Sequence, residues 1–247
     1  MKRPQQHQDD FRIVVDLAHA EREAERISTL LHALRKRHDL SRFEFTQLVC
    51  IRPAGPTHSH PMLTLGTRFA ETEDMLLSTY LHEQMHWYLW QYGGHDYDPI
   101  EPFFDDLVSR YPKAPIKLPD GARSYEQTYL HLVVCWLEVW ATAEIIGMAR
   151  AREIAGGPWG YRWIYRTVLD DWDWLQALLE THGLFPLRPL AEVVAMNGTA
   201  QPERGARAAP AAGRVNGGPR KRTAAKPPPP SRKSRRTPRG RGGRLAG

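Results

Sequence analysis

The stretch Ser78–Trp87 reads STYLHEQMHW and contains the pattern H-E-x-x-H. Thr72 can cap a helix that runs through this stretch, since its side-chain oxygen can accept a hydrogen bond from a free amide in the first turn. Gly93-Gly94 would end that helix. Most other positions between these limits are apolar. A helix that is apolar almost all round is a buried one, so this stretch is expected to lie inside the core.

Two histidines and a glutamate in such a helix predict a metal site. His82 and His86 are four residues apart, so both lie on one helical face, separated by about 6 Å of rise. Zinc binds such nitrogen ligands and, in catalytic sites, keeps one position for water. Glu83 points toward that water and can act as general base. A hydrogen-bonded structural cluster is the alternative, but these groups are costly to bury without a partner.

These residues and their apolar flanks resemble the active-site helix of the zincin metallopeptidases. The resemblance implies a zinc-dependent hydrolase, most simply a peptidase that uses a zinc-bound water activated by Glu83. The extended pattern has a third histidine where this chain has Tyr92, which argues against the metzincin branch. In the gluzincin branch the third ligand is a glutamate on a later helix. The resemblance extends loosely over residues 11–148.

Glu138, in an apolar helical run, is the residue that the gluzincin resemblance implies as third ligand. His131 lies seven residues earlier on the same helical face, about 10 Å away along the axis, so only one of the two can easily complete the site. We expect Glu138 to bind zinc with His82 and His86, and His131 to donate to the developing oxyanion. His131 as ligand stays an alternative, and either residue could instead orient a ligand.

Three further histidines are weaker candidates. His95 follows the Gly-Gly turn and is more typical of a loop histidine than of a third ligand. His58 and His60 precede a short strand and are expected to be solvated. In zincins a strand beside the active helix commonly receives the substrate backbone as an added strand. The resemblance therefore makes residues 62–67 the expected edge of the cleft.

The remaining patterns predict an α+β fold. It has a small N-terminal sheet, the zincin-like HExxH helix, a second metal-binding helix, a C-terminal helix and a disordered tail. We assign residues 1–196 to a zincin-like metallopeptidase domain and 197–247 to the tail. Strands are expected at residues 11–16, 43–51 and 62–67, and helices at 17–37, 72–93, 100–110, 124–148 and 161–181.

The cysteines and the N-terminus predict a cytoplasmic protein. Cys50 and Cys135 lie in apolar runs, which favours free buried thiols in a reducing compartment. The N-terminus is polar and lacks the apolar core of a signal peptide. No stretch approaches the roughly 18 consecutive apolar residues that would span a bilayer.

The tail, rich in Arg, Pro, Gly and Ala, differs sharply from the body. Residues 201–247 hold 14 of the 34 Lys and Arg but one of the 28 acidic residues, so the rest of the chain carries a net charge of −7. This composition predicts disorder. The tail could bind nucleic acid or another polyanion through counterion release, or it could be a solvated tail without a specific partner.

Two functions from different classes follow. The first is a peptidase whose partner is a peptide or protein substrate. The second is a zincin-derived regulatory or nucleic-acid-associated protein that keeps the metal but cleaves little.

Removing residues 198–247 is expected to leave the fold and zinc content unchanged and to abolish salt-sensitive binding to nucleic acid. The body left behind is acidic and repels phosphate. Fluorescence anisotropy with a labelled RNA at two salt concentrations, together with zinc analysis, measures both effects. Loss of zinc or of solubility on truncation would contradict an independent tail.

Overall fold

The computed structural model describes residues 11–15, 21–53, 55–68, 70–93, 101–157, 160–189, 191–193 and 195. These residues all belong to the compact unit Met1–Glu203 and form a mixed α+β structure. The strands are β1 Arg12–Val15, β2 Leu48–Ile51 and β3 Leu63–Leu65. The helices are α1 Glu21–Arg37, α2 Glu73–Gly93, α3 Glu101–Arg110, α4 Tyr125–Ile146, α5 Met148–Ala155, α6 Arg162–Asp170 and α7 Trp172–Thr181. The predicted tail and His95 lie outside the described residues.

The sheet is small and parallel, with the strand order β1-β2-β3. Alternate side chains of a strand point to opposite faces. On one face Val49, Ile51 and Leu63 are fully buried, whereas the other face is mixed, with Cys50 and Thr64 buried but Leu48 42% exposed. Helices α1 and α2 contact the sheet. The buried face of the sheet therefore forms one wall of the core.

Helix α2, which contains the HExxH pattern, is attached to the chain before β2 by one buried side chain, that of Gln84. The amide oxygen of Gln84 accepts hydrogen bonds from the backbone N–H groups of Phe45 and Thr46 at 2.8 and 3.0 Å. Its amide nitrogen donates to the Thr46 carbonyl and to the Tyr80 hydroxyl, both at 2.9 Å. The N–H groups of Phe45 and Thr46 and the carbonyl of Thr46 therefore bond to the Gln84 side chain instead of to a neighbouring strand. The strand predicted at 43–51 therefore begins only at Leu48.

The second long helix, α4, is capped by Ser124, whose side chain accepts a hydrogen bond from the Gln127 N–H at 3.1 Å. By length and composition α4 could cross a membrane, but 67% of its apolar window is buried inside the structure. Burial of this kind is also found in the core helix of a soluble protein. Gly147, with φ +89° and ψ 147°, ends α4 in a conformation that favours glycine.

Two features of the C-terminal half differ from the sequence-based expectations. An additional helix, α5, follows Gly147 directly. The helix predicted at 161–181 is divided at Asp171, where φ −104° and ψ 29° interrupt the helical path between α6 and α7. Periodicity continues across both breaks, so apolar spacing alone could not reveal them.

Replacing Gln84 by alanine should destabilise the protein by about 2–4 kcal/mol, because it leaves two backbone N–H groups without their partner in a buried position. Urea unfolding of the metal-free protein measures the change. The matched control is Gln176→Ala on α7, whose side-chain amide donates a hydrogen bond of 2.9 Å to the exposed Glu180. This change should alter stability by less than about 0.5 kcal/mol. Equal effects of both substitutions would contradict the anchoring role of Gln84.

Candidate metal centre

Two helical faces meet where α2 packs against α4. His82 and His86 are four residues apart and lie on one face of α2. On α4, Cys135 follows His131 by four residues and Glu138 follows Cys135 by three, so these side chains also share one face. Two overlapping groups of possible ligands result, and within each group the ligand atoms lie within 4.8 Å of one another. The groups are His82, His86 and His131, and His82, Cys135 and Glu138.

The three imidazoles form a compact triangle. Ring centroids are 5.1 Å apart for His82 and His86, 5.5 Å for His82 and His131, and 4.9 Å for His86 and His131. The Nδ1 atom of His131 lies 2.7 Å from the carbonyl oxygen of Gln127. A carbonyl oxygen can only accept, so this Nδ1 carries the proton and Nε2 keeps a free lone pair. That tautomer can bind a metal through Nε2.

Both oxygens of the Glu138 carboxylate form hydrogen bonds. Its Oε2 atom lies 2.8 Å from Nδ1 of His82 and accepts a hydrogen bond of 2.8 Å from the Tyr165 hydroxyl. Its Oε1 atom accepts a hydrogen bond from the Ser78 hydroxyl. Glu138 is 2% exposed. The residue therefore holds three side chains from helices α2 and α6.

Cys135 occupies the space beside this carboxylate. The prediction of a free, buried thiol is confirmed, as it is for Cys50. The surroundings of Cys135 are nevertheless polar, since its sulfur lies among the possible ligand atoms of His82 and Glu138. Burial raises the pKa of the Cys135 thiol, although the neighbouring His82 opposes this rise. Its position four residues after His131 is the sequence signal for this placement.

Burial and neighbouring charges give the three imidazoles different pKa values. Burial, reinforced by the charges of neighbouring histidines, lowers the pKa of His86 well below its usual value. Burial and the charge of His82 lower the pKa of His131 to about 3. Burial by itself would lower the pKa of His82. Hydrogen bonds to Cys135 and Glu138, together with the charges of these two residues, have the larger effect and raise this pKa well above its usual value. His86 and His131 are therefore neutral near pH 7, the state in which an imidazole binds a metal.

Glu83 lies beside this triangle and takes no part in either ligand group. On α2 it is offset about 100° from His82. Burial raises the pKa of Glu83 to about 7, while the charge of His82 lowers it and that of Glu138 raises it. Unlike Glu138, it accepts no hydrogen bond from a side chain in the described part of the chain.

The loop before β3 differs from the prediction in how far its histidines are exposed and in how it pairs with β3. His58 and His60 belong to neither ligand group, but they are half-buried instead of fully solvated. One ring nitrogen of each, His58 Nδ1 and His60 Nε2, is buried, and the His60 ring stacks on Trp87 at 4.4 Å. The backbone N–H of His58 donates to the Thr64 carbonyl at 3.0 Å, and its carbonyl accepts from the Thr64 N–H at 2.8 Å. The edge expected to receive substrate at 62–67 is therefore occupied at Thr64 by the chain itself.

The structure brings His82, Glu83, His86, His131 and Glu138 together around one buried centre. Sequence reasoning missed two partners of Glu138. Ser78 had a signal, because it lies four residues before His82 on the same face of α2, whereas nothing in the sequence connects Tyr165 to this site. Comparisons with family models, with curated proteins and with solved structures give no match, so any assignment of function depends on the geometry above.

Proposed function

We propose that the chain is a zinc-dependent hydrolase, most simply a peptidase, with His82, His86 and His131 as the zinc ligands. The observation that carries the proposal is the convergence of three buried imidazoles with an uncommitted carboxylate, Glu83, beside them. Three nitrogen ligands match the donor set of a catalytic zinc site and leave a fourth position open.

The proposal takes His131, not Glu138, as the third ligand. Both oxygens of Glu138 already accept hydrogen bonds. A metal bound to them would compete with the Ser78 and Tyr165 hydroxyls, at a cost of about 1–3 kcal/mol for each buried hydroxyl that loses its partner. Nε2 of His131 needs no such exchange, because the hydrogen bond that His131 makes within the described residues uses Nδ1. Glu138 then fixes the orientation and tautomer of His82 through Nδ1, as carboxylates commonly do for zinc-bound histidines.

The residues around the ligands have separate tasks. When bound, zinc would polarise a water molecule and the substrate carbonyl. Glu83, which is near the ligands without being one, takes the proton of the attacking water and passes it to the leaving amine nitrogen. The substrate class, a peptide bond, comes from the zincin resemblance.

We also propose that the protein is located in the cytoplasm and that residues 201–247 bind a polyanion.

The ligand assignment predicts that His131→Ala loses more zinc affinity than Glu138→Gln. His131→Ala removes a ligand, whereas Glu138→Gln weakens only the support of His82 and should cost about 10–100-fold. Competition with a fluorescent chelator measures both affinities. The control is Gln127→Ala, which keeps the backbone carbonyl that bonds His131 and should bind zinc like the wild type. A larger loss in Glu138→Gln would return the ligand role to Glu138.

The proposed role of Glu83 predicts that Glu83→Gln binds zinc as well as the wild type but hydrolyses peptides about 10²–10⁴-fold more slowly. Glutamine has nearly the same shape but cannot accept the proton. Zinc content and cleavage of a peptide library, followed by mass spectrometry, are measured together, with the exposed Glu126→Gln as control. Equal cleavage would remove Glu83 from the mechanism. Absence of cleavage by zinc-loaded wild type would instead support a regulatory protein.

A further inference from the structure

Cys135 is a buried thiol that the proposed hydrolase reaction does not use. It is fully buried on α4, and a buried free cysteine most often behaves as a small apolar side chain among other apolar side chains. Here the sulfur, a ring nitrogen of His82 and a carboxylate oxygen of Glu138 lie within 4.8 Å of one another. A thiol, an imidazole and a carboxylate therefore converge on a second point beside the triangle of histidines.

This second point, which we call the inner position, lies on the Nδ1 side of His82. Nδ1 is 2.8 Å from Oε2 of Glu138, so Nε2 is left for the triangle of histidines. The carboxylate is held in place by the Tyr165 hydroxyl, which donates to Oε2 at 2.8 Å, and by the Ser78 hydroxyl, which donates to Oε1. An ion at the inner position takes the place of the proton that Nδ1 shares with Oε2, so Glu138 need not turn toward the triangle.

The three donors favour a thiophilic divalent ion. A thiolate is a soft ligand, whereas the triangle offers imidazoles alone. Thiolate and carboxylate together also cancel the charge of a divalent ion, which lowers the cost of burying it. Tetrahedral ligands with bonds of about 2.0–2.3 Å stand roughly 3.3–3.8 Å apart. Side-chain movements of about 1 Å therefore bring the three donors of the inner position to bonding distance.

We propose that His82, Cys135 and Glu138 form a second metal position, which binds a thiophilic divalent ion through the Cys135 thiolate. On binding, the thiol releases its proton to solvent and the metal–sulfur bond forms. A neutral imidazole has one free lone pair, so His82 serves either the proposed zinc position through Nε2 or the inner position through Nδ1. The two positions are alternatives. The inference shares His82 with the proposed zinc site but does not depend on hydrolysis.

The test is a Cd²⁺ titration of the zinc-free full chain, followed by the ultraviolet charge-transfer absorption of a cadmium–thiolate bond. The wild type should show this band, and Cys135→Ser should lose it, because a serine hydroxyl stays protonated and binds Cd²⁺ poorly. The matched control is Cys50→Ser, which removes the other buried cysteine and should keep the band. His86→Ala and His131→Ala should keep it too, since those histidines are not among the inner ligands.

Two results of this titration overturn the inference. The first is a band that persists in Cys135→Ser, and the second is a band that is lost in both His86→Ala and His131→Ala. Circular dichroism of each variant verifies that it is folded. If the Cys135→Ser chain does not fold, Glu138→Gln takes its place and should weaken Cd²⁺ binding, because an amide oxygen is a poorer ligand than a carboxylate.

Competition with zinc separates this inference from the proposed hydrolase. At a Cd²⁺ concentration about ten times its own Kd, exclusion should raise the apparent Kd of zinc about 10-fold in the wild type, and much less in Cys135→Ser. An unchanged zinc Kd in the wild type, or an equal rise in both proteins, overturns the shared use of His82. If no peptide is cleaved but the band and the competition are found, the inner position stands and the hydrolase fails.

Discussion

The hydrogen bond between His82 Nδ1 and the Glu138 carboxylate is the interaction on which the centre depends. A buried carboxylate is strongly unfavourable unless several donors compensate for its lost hydration. Here the donors come from His82 and Ser78 on α2 and from Tyr165 on α6, while Glu138 itself is on α4. Because each donor must reach one carboxylate, the cluster fixes how these three helices are rotated relative to one another.

The opposite side of α2 is held by a separate polar network. Gln84, the residue after Glu83, bonds to the backbone of Phe45 and Thr46, and Arg35 makes two hydrogen bonds to Glu44, at 2.7 and 2.9 Å. Glu44 also accepts a hydrogen bond from the Tyr80 hydroxyl at 2.9 Å. The HExxH helix is therefore fixed on two faces, one toward α4 and one toward the segment before β2. A catalytic group needs such support, since small displacements are costly to rate.

The two ring nitrogens of His82 have different roles. Nδ1 belongs to the Glu138 cluster, which leaves Nε2 for the triangle with His86 and His131. In the proposed assignment, one of the two overlapping groups supports His82 and the other supplies the zinc ligands, and His82 belongs to both. Glu138 and Glu83 are both buried carboxylates near His82, but they differ in how many hydrogen bonds they accept. Glu138 accepts three side-chain hydrogen bonds, whereas Glu83 accepts none from a side chain in the described part of the chain and its pKa rises to about 7.

The sequence by itself determined the elements that carry the centre. Thr72 caps the first long helix as the sequence predicted, the second long helix begins next to Ser124 as predicted, and periodicity located His82, Glu83 and His86 on the first. Helical spacing also placed His131 and Glu138 on one face, but it could not decide between them. Only the tertiary structure showed that Tyr165 and Ser78 occupy the oxygens of Glu138. Periodicity reports which residues share a face, whereas hydrogen-bond partners depend on which distant helices meet there, and that is decided by packing.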